Sequence, residues 1–210
     1  MLSSLISAAL LLLGATQSLA APQASATLSP SPTLCPIKDY GPFKLFVQPT
    51  GPTSTSDAPY PARLILNDKS LPATWTMIAN TNSSCTGCGR IPSYWVLKGK
   101  QLHAVDSSAT TAVPTVNKDV ATSNGDLEFV TSNSATAYPI YCGVKSNPSY
   151  PPLLSVRGST ALFSMCAFTS VYPPATQFTI IYNSGGIHPT GYKCFPVNLV
   201  MQSIGIIPTK

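Results

Sequence analysis

A period of two in the C-terminal third of this chain constrains its fold most. Over 177–182, Phe178, Ile180 and Tyr182 fall on one side, with Gln177 and Thr179 on the other. Over 192–204, Phe195, Val197, Leu199 and Met201 share a side, and Pro196, Asn198 and Gln202 lie opposite. A half-buried β-strand requires this alternation, because successive side chains point to opposite faces of a sheet. Residues 162–168 are apolar on both sides, which suits a strand covered on both faces or a short buried helix. We expect three strands, over 153–168, 177–182 and 192–204. Turns at Tyr172-Pro173-Pro174 and Asn183-Ser184-Gly185-Gly186 should separate them.

The rest of the chain continues in the same style with shorter runs. Phe43, Leu45 and Val47 alternate with Lys44 and Gln48, and further strands are expected over 63–66, 94–97, 102–105, 127–131 and 137–144. Residues 98–101 should be a hairpin loop, 71–79 a strand or one helical turn, and 107–124 a long polar loop. With 21 Pro, 13 Gly and a single Glu, long exposed helices are not expected. Short strands at this spacing predict a single all-β domain over 35–207, a disulfide-bonded sandwich or Greek-key-like fold.

Residues 1–20 precede that domain. An apolar core over 8–14 followed by Ser18-Leu19-Ala20 has the form of a secretory signal peptide, and is too short to span a bilayer. Residues 21–34 are rich in Ser, Thr and Pro and should form an extended, disordered lead. All six cysteines follow: Cys35, Cys85, Cys88, Cys142, Cys166 and Cys194. An even number in an exported chain reads as three disulfides. A Cys166–Cys194 bond would close a loop of about 28 residues and contribute about 3.5 kcal/mol. Asn82-Ser83-Ser84 is an acceptor for N-linked sugar, whereas Pro148 blocks Asn147. The terminal run 197–210 is interrupted by polar residues and lacks the order of a lipid-anchor signal, so no membrane anchor is expected.

The leader, the Ala21-Pro22-Gln23 start, the Ser/Pro lead and the F-x-L-x-V opening at Phe43 to Val47 resemble the layout of small secreted fungal proteins of cell-wall type. The resemblance implies an extracellular or wall-associated protein. It carries no functional residues onto this chain.

Several chemistries are argued against. Charged residues are only 9% of the chain, and the net charge of +5 is spread over twelve scattered Lys and Arg, so there is no basic stripe for nucleic acid. With 26 Ser and 22 Thr, hydroxyls supply the polar surface instead. Cys85-Thr86-Gly87-Cys88 lacks both a βαβ context for redox work and a second ligand pair for zinc, and reads as structural half-cystines. His103 lies near Asp106, Ser107 and Ser108, but on an extended segment His103 and Asp106 point to opposite faces, and no nucleophile elbow is present. His188 is a lone imidazole in a turn. Asp126 and Glu128 are spaced to share a strand face, where neighbouring carboxylates form a solvated edge rather than the facing pair of a glycosidase. No cofactor or metal is implied.

The aromatic pair Tyr94-Trp95, followed by Lys98 and Lys100, is the one patch that suggests a ligand. An exposed ring beside cations can stack on sugar; equally, one ring could fill the core and the other cover a sheet edge. The expectation is a non-catalytic extracellular or cell-wall protein that contacts polysaccharide, with a secreted effector or defence-type protein that binds another protein as the main rival. A hydrolase of unrecognised family is the third class.

Overall fold

In the computed structural model, β1 (Tyr40–Pro49) and β14 (Tyr192–Ser203) run antiparallel from Phe43↔Ser203 to Pro49↔Val197. The two side-chain rows expected from alternation, Phe43, Leu45 and Val47 on one strand and Val197, Leu199 and Met201 on the other, are buried together. The residues described are 35–50, 59–70, 72–81, 87–107, 113–119, 125–168, 177–182 and 190–205. The leader and lead, the two turns named above, Asn82, Cys85 and His188 lie outside them.

Among the described residues there is no helix, and every strand pairing is antiparallel. From β14 the sheet passes through β12 (Phe163–Phe168), β13 (Gln177–Tyr182), β4 (Ala73–Asn80), β9 (Glu128–Thr131), β7 (Thr115–Asn117), β6 (Gln101–Val105) and β5 (Tyr94–Lys98) to β1. Pairing of β1 with β14 closes the circuit. The domain is therefore all-β and disulfide-bonded, as expected, and its sheet returns on itself as a barrel does. Closure leaves no free edge along that circuit. Short strands branch from it: β2 (Tyr60–Pro61) on β1, β3 (Arg63–Asp68) on β4, and β8 (Gly125–Asp126) on β13. The hairpin of β10 (Tyr141–Val144) and β11 (Leu153–Val156) joins through β14.

The interior is filled with side chains. Trp95 meets Phe129 edge-on with centroids 5.5 Å apart, and Phe163 meets Tyr182 likewise at 5.8 Å. Around them lie Leu97, Leu102, Met77, Ile180 and Tyr141, all buried. Each large aromatic here contributes through apolar area plus a favourable edge-to-face contact.

Two expectations are corrected. The run 153–168 is two strands, not one. At Arg157 (φ 52°) and Gly158 (φ 89°) the chain turns back on itself, and Val156 and Ser159 exchange both backbone hydrogen bonds. The polar segment 107–124, expected as a loop, holds β7. Its Asn117 is fully buried because its side chain is spent on backbone: Oδ1 accepts from Leu102 N–H at 2.7 Å, and Nδ2 donates to the Tyr138 and Lys118 carbonyls. The ambiguous 71–79 is strand β4.

Two disulfides are in view. Cys166 and Cys194 sit directly opposite on β12 and β14, with Cα atoms 4.1 Å apart, as the sequence suggested. Cys35–Cys142 ties the start of the domain to β10 across 107 residues. Cys88 is also disulfide-bonded, and no described cysteine is free.

Candidate functional site

The site is built from the inward-facing ends of neighbouring strands. Ala104 of β6 is opposite Thr115 of β7, which is opposite Thr131 of β9. These three continue the row begun by core Trp95, but at the rim, where the core gives way to hydroxyls. Trp75 of β4 pairs with Phe129 and so shares their face. Its indole Nε1–H donates to Thr131 Oγ1 at 2.8 Å. A cavity of about 330 Å³ opens here, lined also by Arg90, His103, Val105, Asp106, Val113 and Pro114.

Arg90 organises the cavity. Its backbone is fixed by reciprocal hydrogen bonds with Leu64 at 2.8 and 2.9 Å. The preceding Gly89 has φ +76°, and a Cβ there would meet the Leu64 carbonyl oxygen at 2.9 Å, so only glycine allows that approach. The guanidinium lies over Trp75, 4.3 Å from the ring centroid. It reaches Asp106 at 3.5 Å and donates from Nη2 to Thr115 Oγ1 at 3.0 Å. Ser93 contacts both Asp106 and Ser107 and steadies the rim. Burial lowers the Arg90 pKa, and the Asp106 carboxylate opposes that shift.

His103 and Asp106 both border this cavity. On β6 the His103 side chain alternates with that of Ala104 and is directed to the other face, alongside Val96 and Val116, as the extended-strand argument expects, while Asp106 lies just past the end of the strand at Val105. No hydrogen bond joins them among the described residues; Asp106 is turned to Arg90 and Ser93. The imidazole Nε2 is buried without a partner. Burial and the nearby Lys98 charge lower the His103 pKa, so the ring is neutral at pH 7.

Of the two readings of Tyr94-Trp95, glycan platform or core-filling ring, Trp95 takes the second. Trp95 is 1% exposed and locked against Phe129, so its ring offers no platform to a sugar; Tyr94 is half-buried beside it. The aromatic wall of the cavity belongs to the other tryptophan, Trp75, which is half-buried. Asp126 and Glu128 stand on β8 and β9, away from the cavity. Glu128 is paired with Lys118 at 2.7 Å, while burial and the Glu128 charge raise the Asp126 pKa. No group of His, Cys, Asp or Glu among the described residues is arranged to hold a metal. Sequence reasoning missed Trp75, Arg90, Thr115 and Thr131, which are separated by up to 56 residues along the chain and meet only through sheet pairing. No family model, curated protein or solved structure matches the chain.

Proposed function

We propose that this is a non-catalytic extracellular protein, secreted or held at the cell wall, that binds glycan in the cavity between Trp75, Arg90 and Asp106. One observation carries the reading. An indole wall and a fixed guanidinium–carboxylate pair face a common space of about 330 Å³, at the small end of the roughly 300–1,000 Å³ of ligand pockets. Saccharides are recognised by that combination, since the ring's C–H face lies on an aromatic and its hydroxyls meet planar polar groups. Export is supported by the leader-like start and by half-cystines that are paired. A non-catalytic role is supported by the engagement of the carboxylates, Asp106 with Arg90 and Glu128 with Lys118.

The test is retention on insoluble chitin and on insoluble β-glucan, comparing wild type with Trp75→Ala. The reading expects wild type to be retained on one of the two and the variant to be lost from it. If wild type passes through both, or the folded variant is retained equally, the glycan reading fails and a protein partner takes its place.

A further inference from the structure

The hydrogen bonds in the cavity contain a surplus of donors. Trp75 donates to Thr131 Oγ1 and Arg90 Nη2 donates to Thr115 Oγ1, while the two hydroxyls lie 2.7 Å apart. Only one proton can lie between two oxygens, so one of the two O–H groups is left without an acceptor whichever way the pair is oriented. Arg90 Nε–H is buried and also lacks an acceptor. Buried donors in this state cost free energy until something supplies an oxygen. Arg90 and Asp106 offset one another, so the cavity has no net charge that calls for an anion. Beside the donors stand apolar surfaces, Trp75, Val113 and Pro114, and an acceptor at the rim, Asp106.

Resting on the glycan reading above, we infer that the cavity takes an N-acetylated hexosamine and that the acetamido group is what it recognises. The amide carbonyl accepts from the surplus threonine hydroxyl. The amide N–H donates to Asp106, and the methyl group lies against the apolar wall. A sugar bearing only hydroxyls would satisfy the donor and lay its C–H face on the indole, but would bring no methyl group to Val113 and Pro114. A sugar with a free amine would bring another cation toward Arg90.

Calorimetric titration separates these. The probes are a trimer of N-acetylglucosamine, the same trimer deacetylated, and a β-linked glucose trimer. The acetylated trimer should bind at least about ten-fold more tightly than either of the others, the scale of one hydrogen bond plus one buried methyl. The double variant Thr115→Val with Thr131→Val should weaken it about ten-fold, and Thr115→Ser with Thr131→Ser, which keeps the hydroxyls, should not. Thermal melts establish that each variant is folded; if the double Val variant is not, the three-probe comparison on wild type still decides. Equal binding of the glucose trimer overturns the acetamido inference and leaves the glycan reading standing. Binding of none of the three overturns both. Full affinity in the folded double Val variant overturns the assignment of the donor.

Discussion

The two tryptophans differ in burial, with Trp95 filling the core and Trp75 half-buried at the cavity. Trp95 faces Phe129 and Ala104 in the interior, and Tyr94 beside it on the strand turns the other way. Trp95→Ala should cost about 3–5 kcal/mol, the range for large aromatic truncations. Tyr94→Ala should cost far less. Urea unfolding of the two variants measures the difference, and similar losses would contradict the packing. His103 carries a pH signature. The unfolded imidazole titrates near 6.5, and the folded one titrates lower because it is partly buried and near Lys98. Below pH 6.5 the unfolded chain therefore takes up a proton that the folded chain resists. Stability from this group is complete above that pH and falls as pH drops toward the lowered folded value. The urea midpoint of wild type should decline from pH 7 to pH 5, and His103→Gln should remove part of that decline.

At the scale of elements, the conformation of Gly89 links β3 to the cavity. Gly89→Ala would force a Cβ against the Leu64 carbonyl at a positive φ, and should cost about 1–3 kcal/mol. Because Arg90 follows directly, the same change should weaken ligand binding as well as stability. A folded variant with unchanged binding would show that the Leu64–Arg90 bridge does not position the guanidinium. Strands such as β1, β13 and β14 were legible in the sequence because one face is buried and the other is not. The turn at Arg157-Gly158 was hidden because apolar residues lie on both sides of it, and periodicity does not report a change of direction. β7 was hidden for the opposite reason, since Thr115 and Asn117 are polar residues buried by virtue of hydrogen bonds that sequence does not display. The hairpin of β5 and β6 was visible, with Gly99 (φ 55°) and Lys100 (φ 66°) forming its two-residue turn.

For the molecule as a whole, closure of the sheet by β1 and β14 and the two described disulfides act on different spans of chain. Cys35–Cys142 closes 107 residues and Cys166–Cys194 closes 28. The chain-entropy relation gives about 4.8 and about 3.5 kcal/mol, so replacing the first pair by alanines should lower the urea midpoint more than replacing the second. The cavity belongs to this scale because β4, β6, β7 and β9 each contribute one wall, which is why no stretch of sequence contains it. The chain has two tryptophans, one placed in the cavity and one in the core, so its indole N–H signals supply both probe and control. The direct measurement is a proton–nitrogen correlation spectrum recorded as N-acetylglucosamine trimer is added. The account predicts that the Trp75 signal, assigned by Trp75→Phe, shifts and saturates while the Trp95 signal stays in place. A spectrum in which neither signal moves while other resonances do would place the ligand elsewhere and contradict it.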